Sequence, residues 1–542
     1  MEFFGAISTK EEFFYPDTAA GKLPDSLEID MPQNGMPGIQ LLLKTDCREC
    51  CVRLDSGDFS LECFRMHSVP VEYNTGNGED QGGAMVLADR PEKKPDYVTR
   101  KAPFRVYDCL EPSDGTHLVP ENGILPVYLC LRARKRLRKG TYRACLHAAE
   151  YICWINVRVY EIMIPERTFP VTNWFSIEAI ERFHHTPAGS SEFLGMLRKY
   201  ADLMARIHQN VFYLVLDRRC IVSRDPWKFD FSHLEPMIET FLNAGLDTLE
   251  TGPLLSRGFR ADGSPDMYTD RFTCAMAPEI PVDTPEGYEV TVRFVQDLAA
   301  FLKGHGWDKK VLFHVQDEPD IHCPPEALES RKKQYYLAVS VLRKYLPDVR
   351  IIEAVSSAEF RGGVDIWVPG TPGYEAHREE FDRLIRLGEQ VWTYVCCGPE
   401  GNWLNRFLDF ALIKGRLLFW GCARNRISGF LHWGFNQFPG GMNPFQGTSC
   451  PNETGIGTSF PCGDSFLVYP GKDGPWPGMR MEAARRGAED AALLQLLRER
   501  DPAAHERLTG KMFRSNHEYN EDPEEFQHVY RQLLELLEQT EG

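Results

Sequence analysis

VLFHVQDEP, residues 311–319, reads as a short buried strand that ends in two carboxylates. Apolar residues dominate its first half, and Pro319 pushes the residue before it away from helical backbone, so the chain leaves the sheet there. With period-two alternation, Phe313 and Val315 face one side of such a strand while His314 and Gln316 face the other. Asp317 and Glu318 then fall at the strand-to-loop turn, where two neighbouring side chains can serve one ligand. Adjacency alone means little, since 78 acidic residues among 542 give about eleven such neighbours by chance. Position is what counts. The plain alternative is a solvated pair opening a loop.

Working outward, seven further runs of the same kind follow residue 165, at 169–175, 211–217, 246–252, 350–356, 364–369, 391–397 and 427–433. Helical patterns separate them. Leu194, Leu197, Ala201 and Met204 repeat at steps of three and four, and similar stripes fit 290–302, 327–345, 375–387, 404–412 and 479–497. Strands alternating with helices are the signature of βαβ units, and eight strands predict a (β/α)8 TIM barrel of about 330 residues. Upstream, IQLLLK, SLECFRM, FRVYDCL, LPVYLCLRAR and CWINVRVYEI alternate between turn residues, which predicts antiparallel strands and a β-sandwich. The expected organisation is therefore α/β, with an N-terminal antiparallel β-sandwich at 1–165 and the barrel with C-terminal helices at 166–542. An acidic stretch at 517–525, before a final helix, reads as solvated surface.

Composition bounds the function. Hydrophobic residues make up 43% and charged residues 26%, the balance of a soluble globular protein. A net charge of −17 without a basic stripe opposes nucleic acid and anionic membrane as partners. The start, MEFFGAISTKEEFFYPD, lacks a leader's basic and apolar segments, so a cytoplasmic location is expected, with the 16 cysteines as reduced thiols. A homo-oligomer is compatible with the sequence.

No cofactor is expected. Cys47, Cys50, Cys63 and His67 have a spacing zinc could use, but they fall inside strand patterns and read as sandwich packing, so no metal is expected. Cys396 and Cys397 could line the mouth, although the barrel wall is the favoured reading. GNGEDQGG and FPGGMNPFQG read as loops rather than phosphate cradles, and neither HExxH nor GxSxG occurs.

Barrels of this kind carry their chemistry at the C-terminal ends of the strands. Here those ends supply Asn173 and Trp174, Trp367, Trp392 and Tyr394, and His432, Trp433 and Asn436, beside His314 and Gln316. Aromatic faces pack against the C–H faces of sugars, and Asn, Gln, His and Tyr hydrogen-bond their hydroxyls. The predicted ligand is a carbohydrate, with Asp317 and Glu318 for proton transfer. Two rivals stand beside this reading. One uses Glu400, near the end of the seventh strand, as a nucleophile on sugars lacking an acetamido group. The other is a carbohydrate-binding barrel without turnover.

Several motifs occur in order: VPVEYNTG from residue 69, QDEP from 316, VWTYVCCGP from 391, GFLHWGFNQF from 429, and GDSFLVYPG from 463 followed by GMRMEAARRGAEDAALLQLL. In these the chain resembles glycoside hydrolase family 123, whose characterised members are β-N-acetylgalactosaminidases. The resemblance implies removal of a terminal β-linked N-acetylgalactosamine from an oligosaccharide by substrate assistance. It makes Glu318 the general acid and later the base, and Asp317 the group that binds the 2-acetamido N–H so that its carbonyl oxygen attacks the anomeric carbon. Glu318 is then expected to need a raised pKa, driven by its neighbour's charge. Two departures bear on sugar preference. HWGFNQF places His432 and Phe438 where relatives commonly carry Tyr and Trp, and GDS at 463–465 replaces GDG.

Overall fold

The long apolar runs of the first third become strands buried on both faces. The computed structural model describes residues 2–77, 85–89, 91–166, 169–452 and 459–540. Within the first 160 of these, six strands join in the order Gly21–Lys22, Phe4–Ser8, Gly38–Lys44, Ile124–Ala133, Phe59–Val71 and Phe104–Ser113, each pair antiparallel. A second sheet runs Ser26–Met31, Tyr151–Val159, Gly140–Ala148 and Val52–Asp55, and its first pair is parallel, which the sequence reading had not expected. Leu41, Val127 and Leu129 of the larger sheet share one core with Leu146, Ile155 and Val157 of the smaller. The larger sheet's other face, with Leu42, Met66 and Tyr128, packs with Leu408, Met479 and Ala483 from far down the chain. That double burial is why LPVYLCL is continuously apolar instead of alternating.

All eight expected strand positions carry parallel strands. One ladder runs Val211–Val215, Thr248–Gly252, Val311–Phe313, Arg350–Val355, Ile366–Pro369 and Gln390–Val391. The other runs Val171–Asn173, Phe430–His432 and Thr393–Tyr394. The seventh strand thus belongs to both, broken at Trp392. Between the first and second strands, side-chain amides stand in for ladder bonds among the described residues. Asn210 Oδ1 accepts from Val171 N–H at 3.0 Å, and Gln209 Nε2 donates to the carbonyls of Asn173 and Val211. Helices Ser191–Arg206, Pro285–Gly304, Leu328–Tyr345 and Met479–Arg500 occupy predicted stripes, while 375–387 divides into Thr371–Ala376 and Arg378–Arg386. A mixed α/β fold with an N-terminal antiparallel sheet results.

One predicted helix is corrected. Residues 404–412 are irregular, and the helix begins at Ile413 and runs to Asn425. The reason is polar. Asn405, Arg406 and Asp409 are buried and spend their side chains on neighbouring loops: Asn405 on the carbonyls of Cys396 and Pro399, Arg406 on Asn173 and Gly434, Asp409 on Asn74 and Thr75. Those bonds compete with helix formation.

The helix Met479–Arg500 ties the two parts together through buried charge. Arg480 binds Asp108 at 3.0 Å, Glu482 binds Arg206 and Arg485, and Arg486 binds Glu11 and the Tyr128 hydroxyl. Each partner is at most 12% exposed, so these pairs are fully engaged rather than surface ornaments.

The cysteine spacing at 47–67 forms no shared site. Cys63 lies in the hydrophobic core of the N-terminal sheets, whereas His67 pairs with Glu111 at 2.7 Å and stacks on Trp476. Among the described residues, no group of three or more His, Cys, Asp or Glu could hold a metal ion. Of GNGEDQGG only Gly76 and Asn77 fall within the described residues. FPGGMNPFQG is loop with one short turn at Pro439–Gly441. No described helix is long and apolar enough to cross a membrane.

Candidate active site

Beneath the ends of the strands lies a buried charged relay that the sequence reading missed. His314, on the fourth strand run, sits between Glu250 of the third strand, 2.7 Å from Nε2, and Glu353 of the fifth, 3.4 Å from Nδ1. Burial opposes a charged imidazole, but the two carboxylates outweigh it and hold the His314 pKa up at about 10. Glu250 also accepts from Thr172 Oγ1 and Trp174 Nε1, and Glu353 from the backbone N–H groups of Val315 and Gln316 and from the Tyr335 hydroxyl. Nothing in local periodicity marks a glutamate in one strand as the partner of a histidine in another.

Asp317 and Glu318 follow directly, both half-buried at the end of the fourth strand run. Loss of solvent, then the adjacent Glu318 charge, push the Asp317 carboxyl up to about 7, with His314 and Arg257 acting the other way. The sequence reading had placed the rise on the other carboxyl of the pair. Glu318 adopts a left-handed backbone with φ of 54°, which a non-glycine residue holds only against a local cost of about 1–3 kcal/mol. The surroundings impose it. Arg257 donates to the Glu318 carbonyl, and Arg331, fully buried, donates to the carbonyls of Pro319, Ile321, His322, Met267 and Thr269. Asp320 accepts from the backbone of Ser356 and Ser357. The backbone turn turns the Glu318 side chain toward the seventh strand, where the Tyr394 hydroxyl donates to its Oε1 at 2.7 Å.

Trp174 stacks on Tyr213 with ring centroids 4.6 Å apart and stands edge-on to His314, and Asp317 adds to burial in suppressing ionisation of Tyr213. Trp433 is half-buried, its indole N–H given to Asp464 Oδ2 at 3.1 Å. Burial pushes the Asp464 carboxyl up to about 7 against the pull of Arg406. His432 Nδ1 accepts from Gly434 N–H, so a neutral ring carries its proton on Nε2, 3.4 Å from Asp464 Oδ1. Burial and the nearby Arg406 and Arg480 hold His432 in that neutral form.

Several expected sugar contacts are corrected to roles inside the protein. Trp367 is fully buried on the helix side of the sheet, its N–H donated to Glu389, and Trp392 is buried in the strand interior against Gly429. Asn173 spends its amide on Arg406 and Gln209, and Asn436 spends both amide atoms on the backbone of Ser176. His432 is fully buried with Nδ1 on Gly434 N–H and Nε2 3.4 Å from Asp464 Oδ1 without a hydrogen bond, and Gln316 is buried with its amide N–H on the Asp317 carbonyl and its amide oxygen unpaired among the described residues. Period-two patterning locates a strand but not the depth of each side chain along it. Of the residues named from sequence, the structure brings Tyr394 onto Glu318 and Trp174 onto Tyr213 and His314, next to Asp317 in the chain, while Trp433 is tied to Asp464.

Beyond Tyr394 opens a pocket of about 450 Å³, lined among others by Cys396, Pro399, Glu400, Trp403, Pro372 and Asn77. Cys396 therefore faces the mouth, not the wall, with its Sγ 3.8 Å from that of Cys397. Burial raises the Glu400 carboxyl above its ordinary range. Two adjacent carboxyls beside an open pocket can move a proton onto or off a bound ligand.

Comparison with known proteins agrees. The family description "Glycoside hydrolase 123, catalytic domain" matches residues 174–497. The chain is similar in structure to a family 123 glycoside hydrolase from Clostridium perfringens, studied for glycolipid glycan hydrolysis, with a TM-score of 0.67 and 13% identity over 99% of this chain and 98% of that one. Weaker likeness links it to a family 39 glycoside hydrolase from Bacteroides cellulosilyticus WH2 (TM-score 0.38, 12% identity, 86% of this chain and 82% of that one). A β-galactosidase from Marinomonas ef1 stands at a similar distance (TM-score 0.39, 13% identity, 64% of this chain and 62% of that one). No curated protein matches. With its motifs, its carboxylate pair and a family match over most of its length, this chain belongs to glycoside hydrolase family 123.

Proposed function

We propose that this glycoside hydrolase removes a terminal β-linked N-acetylgalactosamine with retention of configuration, using the substrate's own 2-acetamido group as nucleophile. The observation that carries the reading is the pairing of Asp317, desolvated and pushed up to about 7, with Glu318, whose carboxylate is held by Tyr394. Two like charges on neighbouring residues, one of them desolvated, resist joint ionisation, so the pair keeps one proton up to near neutral pH. An acetamido N–H donated to Asp317 favours charge on Asp317 and leaves the shared proton to Glu318. Glu318 then gives that proton to the leaving oxygen as the glycosidic C–O bond breaks and the acetamido oxygen bonds to the anomeric carbon. Water, deprotonated by Glu318, opens the resulting oxazolinium ring. Trp174 and Trp433 supply apolar faces for the ring.

The same reading closes the eight parallel strands into a (β/α)8 barrel, with Gln209 and Asn210 bridging the first and second, and divides the chain at 1–165 and 166–542. It places the enzyme in the cytoplasm, acting on imported oligosaccharides. A nucleophilic Glu400 fits less well, because a nucleophile must be ionised and burial works against that here.

Hydrolysis of 4-nitrophenyl β-N-acetylgalactosaminide, β-N-acetylglucosaminide and β-galactoside tests it. Turnover should require the acetamido group, and an oxazoline-mimicking thiazoline should inhibit. Equal rates on the plain galactoside would overturn the mechanism.

A further inference from the structure

VWTYVCCGP sets two cysteines side by side shortly after Tyr394, and neither has a part in the chemistry described so far. The sulfurs of Cys396 and Cys397 lie 3.8 Å apart, in hydrogen-bond contact, and both residues are half-buried. Cys396 lines the pocket beyond Tyr394, so a solute that enters the pocket meets this thiol. Cys63, Cys109, Cys130 and Cys422, by contrast, are packed into apolar cores. We infer that Cys396 and Cys397 form a reversible dithiol–disulfide couple, oxidised by small disulfides of the glutathione class, and that closing it moves Tyr394 off Glu318. The effect on activity rests on the assignment of Glu318 as the acid, whereas the thiol chemistry stands without it.

Neighbouring Cα atoms stand about 3.8 Å apart across a trans peptide, below the about 4.4–6.8 Å that ordinary disulfides span. A ring closed through that single peptide is therefore strained. Strained disulfides are the easily reduced ones, suited to switching and not to stapling a fold. In the cytoplasm proposed above the pair rests as thiols and closes only under oxidising conditions. A metal ion is a poorer occupant, because among the described residues no group of three or more His, Cys, Asp or Glu could hold one.

The two thiols divide the work. A hydrogen bond to Cys396, and then burial, hold the Cys397 thiol well above its ordinary range, so it keeps its proton and the first attack falls to Cys396. Cys396, as thiolate, bonds to one sulfur of the small disulfide, whose S–S bond breaks and whose other half leaves and takes up the Cys396 proton. Cys397 then bonds to the Cys396 sulfur, the mixed disulfide breaks, and the second half leaves with the Cys397 proton. The protein thiols give up two electrons and two protons, and the small disulfide becomes two thiols.

Closure reaches the site through the backbone. The Cys396 N–H donates to the Gly398 carbonyl at 2.9 Å, and the Cys396 carbonyl accepts from the buried Asn405 amide at 3.0 Å, so the turn after the pair is braced. On the other side only Val395 separates Cys396 from Tyr394. Burial, then Glu318 and Cys396, keep the Tyr394 hydroxyl protonated, which puts that hydroxyl within electrostatic reach of both. Strain that the braced turn does not absorb falls on Tyr394, and a misplacement of about 1 Å in an active site costs about 100-fold.

The full chain is incubated with oxidised glutathione, its free thiols are alkylated, and each peptide is weighed by mass spectrometry while hydrolysis of 4-nitrophenyl β-N-acetylgalactosaminide is followed. The peptide carrying Cys396 and Cys397 should lose two hydrogens, kcat/KM should fall by about tenfold or more, and excess reduced glutathione should reverse both. In Cys397→Ser the exchange should stop at its first step, with glutathione bonded to Cys396. In Tyr394→Phe, closure should change kcat/KM by less than about twofold, since the bond it disturbs is already gone. Oxidation confined to Cys47, Cys50 or Cys51 would overturn the inference, as would a 396–397 disulfide that excess reduced glutathione leaves intact. An unchanged kcat/KM in the closed enzyme, or a tenfold loss on closure in Tyr394→Phe, would overturn the link to Glu318. Failure of the unoxidised enzyme to cleave the substrate counts against the catalytic reading instead, and the peptide masses still decide the couple.

Discussion

The hydroxyl of Tyr394 lies 2.7 Å from Oε1 of Glu318, joining the end of the seventh parallel strand to the turn after the fourth. This bond fixes where the Glu318 carboxyl sits, although the backbone beneath it is in the left-handed region. A donor to a carboxylate favours its charged form, and hydrogen bonds to charged groups contribute about 1.5–3 kcal/mol.

Tyr394→Phe should therefore lower kcat/KM by about 10- to 100-fold, in proportion to that bond. It should also shift the alkaline limb of the pH–rate profile upward, because the pair then holds its proton more tightly. A limb that stays in place while the rate falls would mean that Tyr394 acts on the substrate and not on Glu318.

The pH dependence of the unaltered enzyme follows from Asp317. Its carboxyl is pushed up to about 7, so the last proton of the pair leaves near that pH. Activity should be present below about 7 and decline above it as the acid is lost. In Asp317→Asn the like charge is gone, so the surviving limb should move to lower pH and turnover should drop by roughly 100-fold or more. Initial rates from pH 4 to 9 measure both.

His314 makes a prediction about stability. Its pKa is about 10 in the fold and about 6.5 when unfolded. A raised value stabilises the fold fully below the unfolded pKa, and that contribution fades as pH rises toward 10. Thermal unfolding should show a falling Tm between about pH 6.5 and 10, flattened in His314→Gln. At pH 6 the same variant should be less stable by about 3–5 kcal/mol, since Glu250 and Glu353 are left buried without their cation.

Asp108 and Arg480 join the N-terminal sheet to the helix Met479–Arg500, and Arg480 also donates to the carbonyls of Gly463 and Arg406, beside Asp464. Asp108→Ala should cost about 3–5 kcal/mol in denaturant unfolding, because it strands a buried guanidinium. Asp108→Ala together with Arg480→Met should recover most of that loss. No recovery in the double variant would show that the two residues do not act as a pair.

How much of this was legible beforehand differs from element to element. Runs such as VLFHV and IIEAV are short, apolar and bounded by turn residues, and strands form at all eight such places. The segment 404–412 has an apolar helical stripe too, but tertiary hydrogen bonds of Asn405, Arg406 and Asp409 override it. Arg331 and Tyr213 were unreadable as parts of the site, because each acts on atoms distant in sequence.

Local order in the chain determined the strands, most of the helices and the placement of Asp317 and Glu318 at a strand end, since these depend on periodicity and on proline's restriction of the residue before it. Tertiary structure alone decided that Trp367 and Trp392 are buried, that Asn173 and Asn436 brace loops, and that Glu250 and Glu353 charge His314. The physical reason is that depth along a strand, and the identity of a buried polar group's partner, are set by which strands lie side by side. No nearest-neighbour pattern along the chain encodes that.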